Sequence, residues 1–222
     1  FAYSYDVNSG EAFELVDSAL IQNAFYSFSG LPDGLYIVKA IMAPGTQEAE
    51  DYIPTYHFIS ATWNDAVVIP LPNWLPVTKD IHLIRSTDFT GGGVIGGFVT
   101  DPNHLVAGGN VQSRGAGIAN VQVLIKDAQG LPLSYQYTLS EGGFRFTDLP
   151  WGTYRISYDI PGLTSPDIWV TLTPENPEKL QVTLIVNQGT TAVNDPKLEE
   201  IKLYPNPAKE EINMPLPGVN TN

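Results

Sequence analysis

The pattern of apolar and polar positions is clearest in "GGFRFTDLPWGTYRISYDI". Phe144 and Phe146 stand two apart, and Tyr154, Ile156 and Tyr158 repeat that spacing, so each run presents one apolar face as a β-strand does. Between the runs lies a turn in which Pro150 fixes φ, Gly152 supplies backbone freedom and Leu149 plugs the end of the fold. The phrase has a relative upstream, "FSGLPDGLY". Phe28, Leu31, Pro32, Gly34 and Tyr36 match Phe146, Leu149, Pro150, Gly152 and Tyr154, each pair standing 118 residues apart. A constant offset over five positions predicts two copies of one β-domain in tandem, with a spacing far too long for a solenoid.

Around the second copy the same alternation predicts strands over 93–99, 117–127, 133–139, 168–173 and 180–186. With the two central runs these make about seven strands, the count of a small antiparallel sandwich. The first copy has only "FAYSYDV" ahead of the turn "DVNSGE", so it reads as N-terminally incomplete. Residues 11–24 have a helical stripe of Ala12, Leu15, Val16, Ala19 and Leu20, but alignment with the second copy favours a strand there. The expected organisation is a first sandwich over 1–88 with an elaborated loop region at 43–77, a second over 89–188, and a linker and tail over 189–222. The fold class is all-β.

Composition agrees. Of 222 residues 43% are hydrophobic and 16% charged, with 18 prolines and 20 glycines breaking the chain into short elements. The net charge of −13 repels phosphate backbones, so nucleic acid is not expected as a partner. No run of eighteen apolar residues predicts membrane insertion, and no leader is legible; opening on Phe1, the chain reads as a fragment or a processed product. With no cysteine there is no disulfide, thiolate metal site or thiol nucleophile.

Candidate chemistry is sparse. Gly91, Gly93 and Gly96 have the spacing of a dinucleotide fingerprint, but a strand follows where that motif needs a helix. Asp6, Asn8 and Asp17 fall at calcium-loop positions, yet Glu11 replaces the required glycine, so a hairpin turn is favoured. Calcium held by loops with Asp101, Asp127 or Asp167 is unsupported by any spacing, and no cofactor is expected. His57, His82 and His104 lie in separate segments with no zinc spacing. Neither a serine-nucleophile motif nor a singled-out acid pair is present, so an enzyme is not expected. Tyr52, Tyr56, Trp63 and Trp74 lie in the proline-rich elaboration. Their first reading is core packing, and they are also the candidate glycan contacts, since exposed rings stack on sugar faces. Trp151 is read as the cap of its turn, and Lys126 as a residue of the polar face, not a cross-linking lysine.

The segments "GVIGGFV", "IANVQVLI" and "GGFRFTDLPWGTY" resemble the carboxypeptidase regulatory-like, transthyretin-type β-sandwich of bacterial surface proteins. "YIPTYHFISATWNDAVVIPL" resembles a segment of secreted Bacteroidetes proteins. "KLYPNPAKEEINM", with Leu203, Tyr204, Pro205, Asn206, Pro207 and Ala208 followed by Ile212, resembles the opening of the type A sorting domain read by the type IX secretion system. These resemblances imply a secreted or surface-attached, non-catalytic spacer or adhesion module. The alternative is a carbohydrate-binding accessory module of a polysaccharide-degrading enzyme. Partners would be a surface protein, a polysaccharide, or another chain whose strand completes the first sandwich.

Overall fold

A computed structural model describes residues 1–6, 12–43, 45, 46, 48–72, 76–102 and 116–186, and the side chain of Ala116 is not among them. The fold is all-β. The first copy contributes β1 (Ala2–Ser4), β2 (Leu15–Asp17), β3 (Gly34–Ala40), β4 (Tyr52–Ile53), β5 (Thr55–Tyr56), β6 (Ile69–Leu71) and β7 (Ile84–Arg85), with a four-residue helix, Glu48–Asp51, in the elaboration. One antiparallel sheet runs β2-β1-β3-β5, and β6 shares the β3 edge with β5. The helical stripe of 11–24 does not form a helix among the described residues. Leu15–Asp17 is a strand beside β1, because an edge there offers backbone partners that an isolated stripe lacks.

The second copy contributes β8 (Gly93–Asp101), β9 (Ala116–Gly117), β10 (Gln122–Lys126), β11 (Pro132–Tyr137), β12 (Gly143–Leu149), β13 (Gly152–Asp159), β14 (Ile168–Leu172) and β15 (Glu178–Ile185). They form two facing sheets, β11-β10-β13-β14 and β12-β8-β15, with β9 on β8. Ile95, Val99, Phe144, Phe146, Ile156 and Leu184 are among the buried residues between them. One pairing departs from the antiparallel expectation: β15 lies parallel to β8. The glycines of β8 let it approach so closely, since a Cβ on Gly97 would stand 1.8 Å from the Val182 carbonyl oxygen.

The repeated phrase has one geometry in both places. Tyr36 donates its hydroxyl to the Pro32 carbonyl at 2.8 Å, and Tyr154 donates to the Pro150 carbonyl at 2.7 Å. Registers agree too. Gly34 pairs with Leu71 and Tyr36 with Ile69, as Gly152 pairs with Leu172 and Tyr154 with Val170. Sheet β2-β1-β3-β6 therefore reproduces β11-β10-β13-β14 strand for strand. Phe146 is buried in β12, whereas Phe28 lies outside any strand and is half-buried against Ala2, Val38 and Ile69.

The strand β3 is buried from Tyr36 to Ala40, and β13 from Ile156 to Asp159. Such runs need cover on both faces of the sheet. The two related sheets meet back to back, through the faces that carry Ile37 and Lys39 in one and Leu124 and Asp159 in the other. The two copies pack as one compact unit.

Candidate functional site

The densest buried chemistry lies in the seam between the two related sheets. Asp159 ends β13 with its side chain fully buried. Lys39 Nζ stands 2.8 Å from Asp159 Oδ2, the Tyr56 hydroxyl donates to the same oxygen at 2.7 Å, and the Trp63 backbone N–H donates to Oδ1 at 2.8 Å. Lys39 also lies over the Tyr56 ring, 4.8 Å from its centroid. A carboxylate taken out of water is tolerable when both oxygens are satisfied in this way. Around the pair, Trp63 Nε1 donates to the Leu163 carbonyl at 2.8 Å and Phe13 packs edge-on against the Trp63 indole. The Tyr135 hydroxyl reaches the Ala49 carbonyl at 2.8 Å.

Burial pushes the Tyr56 phenol well above its ordinary pKa, and the nearby Asp159 charge pushes the same way. Tyr137 is raised too, chiefly by burial and then by its tyrosine neighbours and Asp159. Gln122, which pairs with Asp159 across the sheet, and Ser157 are buried with no protein hydrogen-bond partner for their side chains. With 4% and 0% of the two side chains exposed, the ion pair acts as a clamp between residues 120 apart in sequence. Its one signal in the sequence is a lysine within the apolar run "LYIVKA".

Two of the candidate glycan contacts belong to this clamp. Tyr56 is 0% exposed and Trp63 7%, which leaves no ring face for a sugar; core packing is what their surroundings enforce. Tyr52 is half-buried in β4, and Trp74 lies outside the described residues. The sorting motif, Leu203, Tyr204, Pro205, Asn206, Pro207 and Ala208, lies outside them as well. His57 faces the Asp80 carbonyl at 2.7 Å and the His82 N–H donates to the Phe58 carbonyl at 3.1 Å, so the segments that carry them adjoin; His104 is not described. Among the described residues no three His, Asp or Glu side chains converge as metal ligands. Of the acidic residues weighed for calcium, Asp127 accepts the Gln129 and Leu131 amides of its own turn, and Asp167 accepts from Lys126 at 3.0 Å.

One exposed surface was not anticipated. Trp169 on β14 is 56% exposed and lies beside Arg155 of β13, whose guanidinium sits 4.3 Å from the indole centroid. Arg155 and Lys126 share Asp167, and the hydroxyls of Thr153 and Thr171 stand 2.9 Å apart in the next cross-strand row. Trp151, read as a turn cap, is 46% exposed near that end of the sheet. The alternation of "IWVTL" held the clue, because it places Trp169 and Thr171 on the face away from Val170 and Leu172.

No protein-family model matches the chain, and no curated protein matches it. Among solved structures, a proposed carbohydrate-binding protein of Pseudomonas aeruginosa matches at 20% identity and a TM-score of 0.29, over 45% of this chain and 91% of that one. The major pilin subunit of Bacillus cereus matches at 15% identity and 0.33, over 72% of this chain and 41% of the pilin. A minor pilin of Streptococcus agalactiae matches at 15% and 0.33, over 76% of this chain and 66% of its own length. At these scores the likeness carries no function across.

Proposed function

We propose that the chain is a non-catalytic spacer and adhesion module of a secreted or cell-surface protein, exported by type IX secretion. The observation that supports the spacer role is the clamp: Lys39, Tyr56 and Trp63 of the first copy close on Asp159 of the second through direct hydrogen bonds. A seam of this kind resists bending, so the two copies hold a fixed distance while loops and sheet faces present contact surface. The export assignment rests on the resemblance of residues 203–208 to the sorting motif. The domain boundaries at 88/89 and 188/189 belong to the same proposal.

A second reading, a carbohydrate-binding accessory module, is favoured by the Trp169 face. A flat indole beside Arg155, Asp167 and two threonine hydroxyls combines a stacking platform with hydrogen-bonding groups, the pairing that a sugar ring requires. Screening the purified chain and its Trp169→Ala variant against plant, algal and host glycans separates the two. The spacer reading expects no glycan retained by either protein. Retention by the parent that Trp169→Ala abolishes, with the fold intact by circular dichroism, transfers the function to carbohydrate binding.

A further inference from the structure

A cleft of about 900 Å³ opens between β11 and β12 of the second copy, at the edge of the sheet opposite β14 and Trp169. The helix Glu48–Asp51 of the first copy supplies part of its wall and is tied there by the bond from the Tyr135 hydroxyl to the Ala49 carbonyl. Its apolar lining is largely aromatic. Tyr135 and Tyr137 stand edge-on with ring centroids 5.6 Å apart, and Phe98, on the outward face of β8, is 49% exposed. Gly143 faces Phe98 across the β8–β12 pair. Neither a positive φ nor a tight approach requires glycine at that position, since a Cβ would lie 3.7 Å from the Phe98 ring, in ordinary contact. A strand glycine without a packing reason leaves room for a ligand to come up to the ring.

The polar groups of the cleft are planar and uncommitted. Gln136 accepts the Arg145 backbone N–H on Oε1 at 2.9 Å, and its amide nitrogen has no partner among the described residues. The Arg145 guanidinium and the Glu50 carboxylate are exposed in the same lining, and among the described residues neither is in an ion pair. Guanidinium, carboxylate and carboxamide groups each hydrogen-bond two adjacent hydroxyls, and an aromatic face covers the C–H face of a pyranose. Together they match a saccharide better than an apolar ligand, which would leave the polar groups unpaired. The net charge of −13 repels a polyanion, so the saccharide that fits is a neutral one.

We propose that this cleft binds a neutral oligosaccharide, with Phe98 as the stacking platform and Glu50, Gln136 and Arg145 as the groups that hold its hydroxyls. The proposal rests on the carbohydrate-binding reading and adds to it a second site, built on residues that the Trp169 face does not use. Both copies take part, because Glu50 comes from the elaboration of the first.

The test is calorimetric titration of the full chain with cellohexaose, xylohexaose, mannohexaose and laminarihexaose, with hexagalacturonate as the charged comparison. Two variants act on the cleft in opposite ways: Phe98→Ala removes the platform, and Gly143→Val fills the space in front of it. The expected result is binding of at least one neutral hexasaccharide, weakened about tenfold or more by each variant, with both melting as folded proteins in calorimetry. Binding that both variants leave at the parent's strength overturns the proposal; if Trp169→Ala then abolishes it, the carbohydrate reading survives at the other face. Preference for hexagalacturonate overturns the assignment of a neutral ligand. A parent chain that binds none of the five overturns the proposal and the carbohydrate reading together.

Discussion

Lys39 and Asp159 are buried together, with 4% and 0% of their side chains exposed, so each charge is tolerable only with the other in place. Removing one partner leaves the other charge buried, so Lys39→Ala is expected to cost about 3–5 kcal/mol in urea unfolding. The paired change Lys39→Met with Asp159→Leu is expected to recover only part of that loss, because it removes both buried charges but leaves the Tyr56 hydroxyl and the Trp63 N–H without their acceptor. The tyrosines beside the pair add a dependence on alkaline pH. Their folded-state pKa values lie above the ordinary value of 10.0, so folding favours the protonated phenol. The contribution is complete below pH 10 and is lost as pH rises beyond it; unfolding free energy measured from pH 8 to 11.5 is expected to fall less steeply in Tyr56→Phe. In the sequence Tyr56 and Trp63 were legible as large aromatics in a small fold. Their partner was not, since nothing local links either to Asp159, about a hundred residues away.

At the scale of elements, alternation placed β8, β11, β12, β13, β14 and β15 within a few residues of their observed bounds. Those strands carry their own signal, because one face meets the core and the next side chain meets solvent. The parallel docking of β15 on β8 had no such signal. It depends on Gly97, where a methyl group would meet the Val182 carbonyl carbon at 2.6 Å as well as its oxygen. Gly97→Ala is expected to destabilise the second copy by about 3 kcal/mol, by thermal unfolding, as the strand is forced away. Gly152 does not use the backbone freedom expected of it in the turn, since its φ is not positive and a Cβ there would meet nothing within 4 Å; Gly152→Ala is therefore the matched control and is expected to stay within about 0.5 kcal/mol of the parent.

At the largest scale, the seam joins two related sheets into one compact unit. The expected consequence is cooperative melting: calorimetry should record one transition for both copies. Lys39→Ala should split it, with the first copy, which has the smaller clusters of buried residues, melting earlier. Two separate transitions in the parent chain would mean that the clamp does not couple them.

By itself the sequence determined the all-β class, the repeated proline turn and most strand positions, because alternation, a proline-fixed turn and a tyrosine four residues beyond it act over short spans of chain; that the runs on either side of the second turn join different sheets was not legible there. Tertiary structure decided which face of each sheet is covered, that Tyr56 and Trp63 point inward, that Trp169 points out, and that Lys39 finds Asp159. Those outcomes depend on which sheets stack against each other, and burial acts on whatever surfaces meet, at any separation along the chain.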